Sequence, residues 1–231
     1  MDHDLKPFCH QHCLHDRFRC LCCPPCSCPP TAPIPLSPPT ARTTHKRARH
    51  HGVAERAALV DVLQSAKLCH MGVTVGGVPM VFPTAYGFDL DGPPDRGGSI
   101  YVHGSVASRS LAPDSEICIT ITILDGLVLA RSGFHHSMNY RSGVIIGSPR
   151  VVTDGDERVK ALNLIVDQVV PGRSQHLRDH TRKEMAATIV LALPLYEASV
   201  KARTGGPRRR CRRHWCRNRL GWSSSRSYAL R

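Results

Sequence analysis

The chain has 231 residues, enough for one globular domain with flanks, and a formal net charge of +13. The charge is uneven, because residues 53–200 hold 13 Lys/Arg against 15 Asp/Glu while residues 201–231 hold 11 basic and no acidic residues. We therefore expect no specific nucleic-acid partner, and no membrane partner either, since no apolar run reaches the roughly 18 residues of a membrane-spanning helix.

The first segment of the chain reads as an extension outside the folded part. Residues 1–52 contain 9 of the 18 prolines, and residues 1–28 contain seven of the 11 cysteines, without any periodicity. We predict a disordered extension over residues 1–52, arising from a start assigned too early. A Cys-x-x-Cys metal site there is the weaker alternative, because a second ligand pair is missing.

Order is expected from Val53 onward. Apolar residues at i, i+3, i+4 and i+7 predict an amphipathic helix over Glu55–Lys67. Two strands, Leu68–Val75 and Val78–Tyr86, flank Gly76-Gly77, which is a two-residue hairpin signal. The isolated Cys69 and Cys118 look like small buried apolar residues, which fits a reducing compartment, and we expect a cytoplasmic protein.

The middle of the chain alternates strands and turns. We predict a strand over Ile100–His103 and a short helix over Ser105–Leu111. The strands Ile117–Leu124 and Leu127–Ser132 flank Asp125-Gly126, the strongest hairpin signal in the sequence.

The last predicted elements are a strand over Gly143–Val152, a helix over Asp156–Val169 and a strand over Thr188–Leu193. The helix is expected to bury one stripe, made of Val159, Leu162, Val166 and Val169. Tight hairpins force antiparallel pairing. Six or seven short strands with few flanking helices predict a mainly β fold, an antiparallel barrel that is closed or nearly closed.

One strand has two contrasting faces. Isoleucines at 117, 119, 121 and 123 alternate with Cys118, Thr120 and Thr122. The isoleucine face is expected to pack in the core. The small hydroxylated face either lies against a ligand or another subunit, or is a half-exposed face of an ordinary strand.

A first group of polar residues follows the strand that ends at His103. Ser105 is placed to cap the predicted helix, and Ser108 and Arg109 lie on its first turns. Free N–H groups, hydroxyls and a guanidinium at such a corner are the donors that a phosphate requires. The alternative is a plainly capped helix with a solvated arginine.

A second group of polar residues lies between Arg131 and Ser142. It is rich in hydrogen-bond donors, and either His135 or His136 could serve as a general acid or base, with an ordinary surface-loop histidine as the alternative for each. Metal binding is not favoured, since adjacent histidines on a strand point apart. Cys69 and His70 are likewise expected to face opposite sides, which excludes them as a nucleophile–base pair.

These two groups, with the segments around them, resemble the pyridoxamine 5'-phosphate oxidase-like flavoproteins. The resemblance is nearest to the flavin-nucleotide-binding branch, which is related to nitroimidazole-reductase-like proteins. The matching strings are TARTT at 40–44, AKLCHMGV at 66–73, VPMVFPTAY at 78–86, YVHGSVASR at 101–109, ITITILDGLVLARS at 119–132, FHHSMNYRS at 134–142, VPGR at 170–173 and LALPLYEASVKARTG at 191–205.

The resemblance implies a split β-barrel domain over residues 53–205 that binds FMN, as a homodimer with the flavin at the subunit interface. It implies that backbone or hydroxyl groups of Pro83 and Thr84 lie near the polar edge of the isoalloxazine ring and that Ser108 and Arg109 contact the phosphate. The remaining cofactor-binding candidates are His103, Ser105, Arg131, Asn139, Tyr140 and Arg141. Of these, Arg131 and Arg141 are the candidate cations beside the ring, with an interface salt bridge as the alternative role for each.

The activity that the resemblance implies is FMN-dependent oxidation or reduction of an unknown small molecule. A non-catalytic flavin-binding protein for storage or sensing stays open, as does a split barrel that holds haem or a deazaflavin. The basic C-terminal motif of true pyridoxamine phosphate oxidases is missing, so we do not expect vitamin B6 oxidation. Residues 206–231 are expected to be a basic tail read in a shifted frame.

Overall fold

The computed structural model describes residues 40–47, 49–91, 97–108, 111 and 116–206, together with the backbone of 227–229. The expectations for residues 1–39 and for most of the tail lie outside this range. Three α-helices are described: α1 (Arg56–Ser65), α2 (Gly155–Val169) and α3 (Arg182–Ala187). None of the described helices combines the length and apolar character needed to cross a membrane.

Ten described strands form one antiparallel sheet, which confirms the expected mainly β split barrel but with more strands than predicted. They are β1 (Gly52–Val53), β2 (Leu68–Val75), β3 (Val78–Asp89), β4 (Ser99–Ser105), β5 (Ile117–Val128), β6 (Ser137–Gly147), β7 (Arg150–Val151), β8 (Thr188–Pro194), β9 (Ala198–Arg203) and β10 (Ser227–Ala229). Their order is β1-β9-β6-β5-β2-β3-β4-β8-β7, and β10 pairs with β5.

The long strand β3 belongs to both halves of the split barrel. Its first half pairs with β2, from Val78 to Ala85, and its second half pairs with β4, from Tyr86 to Asp89. The interior is filled by apolar side chains of both halves and of α1, among them Leu63, Ile119 and Ile145, each 0% exposed. Burial of such side chains supplies the main driving force for this fold.

The two glycine-containing hairpin signals have different outcomes. Gly76 and Gly77 join β2 to β3 as predicted, and both have positive φ (58° and 81°), which glycine adopts at little cost. The hairpin predicted at Asp125-Gly126 is wrong, because β5 runs through both residues. The pairing of β5 with β6 shifts there by one residue, so Asp125 is the extra residue of a β-bulge.

The expectation that a helix begins at Ser105 is also wrong. Ser105 is the last residue of β4 and lies opposite Thr188 of β8. A turn follows, in which the Ser108 N–H donates to the Ser105 carbonyl at 2.9 Å. The strand predicted from Gly143 begins six residues earlier, at Ser137, and β9 was not predicted at all.

Helix α2 begins one residue before the predicted start and buries a partly different stripe, in which Leu162 is the predicted residue that packs against the core. Ala161 and Ile165 are buried, whereas Val159 and Val169 are 40% and 45% exposed. The reason is Gly87 of β3, where a Cβ atom would lie 2.6 Å from the Ile165 backbone nitrogen. The missing side chain lets the helix backbone reach the strand, and this close approach selects the buried face.

Helix α1 is found at the predicted place, with Leu59, Val62 and Leu63 buried. Upstream of it, residues 40–47 and 49–51 also contact the barrel. The Thr40 hydroxyl donates to the Glu197 carboxylate, and Arg42 forms ion pairs with Glu197 and Glu116. The packed part of the chain therefore begins before Val53.

Candidate functional site

Side chains that point away from the core along five neighbouring strands form a surface that we call the outward face. They alternate with buried core residues such as Cys69, Ile119 and Val200. The outward face consists of Leu68, His70, Gly72 and Thr74 of β2; Pro79, Val81 and Pro83 of β3; Cys118, Thr120, Thr122 and Leu124 of β5; Tyr140, Ser142, Val144 and Ile146 of β6; and Ser199, Lys201 and Arg203 of β9.

The strand register arranges these residues in rows across the sheet. Directly opposite residues of an antiparallel pair share one face and lie about 5 Å apart. Pro83 lies opposite His70, and His70 lies opposite Thr120. In the neighbouring row, Lys201 lies opposite Ser142, and Ser142 lies opposite Thr122.

The charged side chains of the outward face are cationic. Lys201 and Arg203 are cationic, and none of its described positions is Asp or Glu. Elsewhere in the described part of the chain, carboxylates are plentiful and mostly paired with arginine or lysine, as in the ion pair between Lys160 and Asp89. A face with hydroxyls, an imidazole and cations but no carboxylate favours a ligand that carries negative charge.

Pro83 and Thr84 were predicted to lie at the same edge of a ligand, but their side chains point to opposite sides of β3. Pro83 is exposed on the outward face, where it lies opposite His70. Thr84 lies opposite Cys69, which is 0% exposed, so the threonine side chain points to the core side. Only Pro83 of the two presents its side chain to the outward face.

The turn after β4 holds the predicted phosphate-binding residues. Ser105 is exposed, and its hydroxyl accepts a hydrogen bond from the Ala107 N–H at 3.2 Å. Ser108 is half-buried in the same turn. Arg109 lies outside the described residues, so its role stays a sequence prediction.

His103 has an unsatisfied polar atom. Its Nδ1 atom is buried, with no hydrogen-bond partner among the described residues. Burial lowers the pKa of the imidazole, which is therefore neutral at physiological pH. A buried nitrogen without a partner costs about 1–3 kcal/mol, so a ligand or water that pairs with it would be stabilised.

Arg141, a predicted ring cation, is occupied by acidic partners away from the outward face. Its Nη2 lies 2.9 Å from Asp125 Oδ1, and its Nη1 lies 2.6 Å from Asp61 Oδ2 of α1. Hydrogen bonds to Asp125 and Asp61 raise the pKa of the guanidinium. The neighbouring Tyr140 points the other way and lies opposite Arg203.

Two further predicted residues belong to β6 and to the segment that precedes it. The Asn139 side-chain oxygen accepts a hydrogen bond from Arg203 Nη1 at 2.6 Å. Arg131 is exposed in the segment between β5 and β6, with neither a hydrogen bond nor an ion pair to the described residues. No group of three or more His, Cys, Asp or Glu suited to a metal ion is found in the described ranges.

His70 and Lys201 lie on the outward face, but the sequence does not single them out as cofactor-binding candidates. The alternation in β2 does place Cys69 and His70 on opposite sides, as predicted, and this leaves the imidazole on the outward face. Lys201 could not be placed because β9 was not recognised. Apart from the family resemblance, the signal that indicates this face is the alternation of Thr120 and Thr122 with isoleucines.

Comparison with known proteins gives the family. The profile described as pyridoxamine 5'-phosphate oxidase matches residues 55–202. The structure is similar to the flavocytochrome Anf3 from Azotobacter vinelandii, with 32% identity, a TM-score of 0.71 and alignment of 85% of this chain with 87% of that chain. No curated protein matches the chain.

Two other solved structures support the same assignment. An FAD and heme binding protein from Mycobacterium smegmatis has 32% identity and a TM-score of 0.65, over 78% of this chain and 84% of that chain. A candidate 5-nitroimidazole antibiotic resistance protein from Bacteroides thetaiotaomicron shares the fold, with 18% identity, a TM-score of 0.53 and coverage of 65% and 85%. Profile, sequence identity and fold agree, and the chain belongs to the pyridoxamine 5'-phosphate oxidase family.

Proposed function

We propose that the protein binds FMN and acts as an oxidoreductase on a small molecule. The observation that carries the proposal is the outward face, which offers hydroxyls, an imidazole and two cations without a carboxylate. Family membership and the two relatives with 32% identity support a flavin, because both are named for a flavin-containing protein or for FAD.

The residues fit such a group. Val81 and Pro83 offer exposed apolar surface to one side of a flat ring, with His70 and Thr120 as polar neighbours in the next strands. Phosphate contacts are proposed at the turn after β4, from Ser105, Ser108 and the sequence candidate Arg109. His103, whose Nδ1 has no hydrogen-bond partner among the described residues, lies two residues before Ser105 in the chain. When bound, the flavin supplies the electron-transfer chemistry, and the protein supplies placement and electrostatics.

The proposal is tested by the absorbance spectrum of the purified full chain. Oxidised flavin bands are expected, and denaturation should release a compound that chromatography identifies as FMN. Release of FAD would support flavin binding but would identify the bound flavin as FAD and not FMN. A folded protein that stays colourless after incubation with FMN and FAD would contradict flavin binding.

Reduction of the bound flavin by NADH or NADPH, followed by reoxidation with candidate acceptors, separates an enzyme from a storage or sensing protein.

We also propose that the protein is a homodimer that pairs through the outward face. Leu68, Val81 and Leu124 on this face are 56%, 66% and 40% exposed, which is unusual for so many large apolar side chains on one sheet. Analytical ultracentrifugation should show a dimer that Val81→Asp dissociates. The matched control is Val159→Asp, at the exposed apolar residue of α2, which should leave the dimer intact.

Haem binding is a second candidate function, favoured by His70 and by the names of the two relatives. The His70 imidazole is exposed on the outward face and makes no hydrogen bond to the described residues, so a ring nitrogen is free to ligate iron. A Soret band in the purified protein, lost in His70→Ala but kept in His136→Ala, is the expected result. Absence of the band after haem is added to the full chain would exclude this function.

A further inference from the structure

The edge of the outward face holds a lysine that has no counter-ion among the residues that the structure describes. Lys201 of β9 is half-buried, and its ammonium group makes neither a hydrogen bond nor an ion pair with the described residues. It shares a row with Ser142 and Thr122, whose hydroxyls also make no side-chain hydrogen bonds to the described part of the chain. We call Lys201, Ser142 and Thr122 the lysine row.

The strand on the other side of β9 supplies a fourth group to this row. Gly52 of β1 lies opposite Lys201, and a Cβ atom at Gly52 would lie 2.7 Å from Cδ2 of His45. The His45 ring therefore takes the place of a Gly52 side chain, on the same side of the sheet as Lys201. His45 Nε2 donates a hydrogen bond to the Val200 carbonyl at 3.2 Å, and this hydrogen bond does not use Nδ1, the other ring nitrogen.

The positive charge of this edge is reinforced by Arg203, two residues further along the same face of β9. Among the described residues, its guanidinium donates to neutral oxygens, namely Asn139 Oδ1 and the carbonyls of Met138, Gly205 and Gly206. Two cations on one side of a strand, with no acid among the described residues of the surrounding face, leave charge that these residues do not compensate. Partly burying an unpaired ammonium is unfavourable unless an anion accompanies it.

We propose that the lysine row is an oxyanion-binding subsite, which holds a phosphate or carboxylate group between the Lys201 ammonium and the Ser142 and Thr122 hydroxyls. The oxyanion belongs either to an anionic substrate or to the cofactor phosphate, which would then bind here and not at the turn after β4, and both present the same chemistry to these groups. The lysine row and the turn after β4 are on different strands, because β9 and β4 are five positions apart in the sheet order. It adds a substrate or cofactor group to the proposed function but does not require a flavin.

The test uses the full-length chain and inorganic phosphate as the probe. Phosphate binding is measured by calorimetry at constant ionic strength, in the wild type and in Lys201→Met. Loss of one charge-assisted contact should weaken binding about tenfold. Lys183→Met removes an exposed lysine of α3 and should bind phosphate like the wild type. Equal affinities of the wild type and Lys201→Met for phosphate would overturn the proposal.

Further variants guard against misfolding and identify the source of the oxyanion. Ser142→Ala should also weaken phosphate binding, whereas Lys201→Arg should retain it. If the oxyanion belongs to the cofactor, Lys201→Met weakens FMN binding but not riboflavin binding. If it belongs to the substrate, both flavin affinities stay unchanged while phosphate binding weakens. A Lys201→Met protein that loses the dimer but binds phosphate normally would show an intersubunit ion pair and contradict the subsite.

Discussion

His70 lies directly opposite Pro83 in the pairing of β2 with β3, so the imidazole and the proline ring share the outward face. The next strand places Thr120 opposite His70. The segment that the family resemblance assigns to the flavin ring is thus bordered by a histidine and a threonine from two other strands. None of these neighbours is close in sequence, and only the sheet register unites them.

A negative charge at position 70 should weaken FMN binding. His70→Glu would place the first carboxylate on the described outward face, where it would repel the phosphate and the reduced ring. We expect FMN affinity to fall about tenfold, which is about 1.4 kcal/mol. His70→Gln and His136→Glu are the controls for shape and for net charge, and both should bind FMN nearly as the wild type does. Equal loss in His136→Glu would mean that net charge, not the site, determines affinity.

Arg141 is expected to stabilise the barrel and not the cofactor. It joins the β5 bulge residue Asp125 to Asp61 of α1, and these groups are 28%, 30% and 55% exposed, so solvent screening limits the gain. Arg141→Met should lower the free energy of unfolding by about 1 kcal/mol in urea titrations. FMN affinity should be unchanged. A lower FMN affinity with an unchanged free energy of unfolding would instead support the role beside the flavin that the family resemblance implies for Arg141.

The sequence predicts those elements whose signals are local. Helix α1 follows from apolar spacing, and the turn between β2 and β3 follows from two glycines at positive φ. Asp125-Gly126 carries a stronger local hairpin signal but forms a β-bulge. The difference lies in long-range pairing, because β6 pairs with β5 on both sides of the dipeptide and Arg141 binds the Asp125 carboxylate.

The composition of the outward face was predicted only in part, for a similar reason. Tyr140 and Pro83 were identified by family resemblance and do lie on the outward face. Thr84 and Arg141 were adjacent to them in sequence, and strand alternation turns both side chains to the other side. Lys201 has no local signal, since only its register with β6 brings it beside Ser142.

Tyr86 should contribute to stability through hydrogen bonds to carbonyl groups at the C-terminal end of α1. Its buried hydroxyl donates to the Leu63 carbonyl at 2.7 Å and lies 3.1 Å from the Ala66 carbonyl, while Gln168 of α2 donates to the same two oxygens. Tyr86→Phe should lower the free energy of unfolding by about 1 kcal/mol. Because Gln168 shares the acceptors, Tyr86→Phe combined with Gln168→Leu should cost more than the sum of the single changes. Strict additivity in urea titrations would show that the two donors act independently.

Cys69 should make stability fall at alkaline pH. Burial raises the pKa of its thiol from 9.0 to about 12, so the folded protein keeps a proton that the unfolded chain releases. The stabilisation is complete below pH 9 and is lost as pH rises toward 12, by up to about 1.4 kcal/mol per pH unit. Urea titrations between pH 8 and pH 10 should show this decline in the wild type and in Cys118→Ala, but a shallower one in Cys69→Ala. The upper limit of pH 10 avoids Tyr86, whose pKa burial also raises. Identical slopes in all three proteins would mean that the Cys69 thiol is not buried in solution.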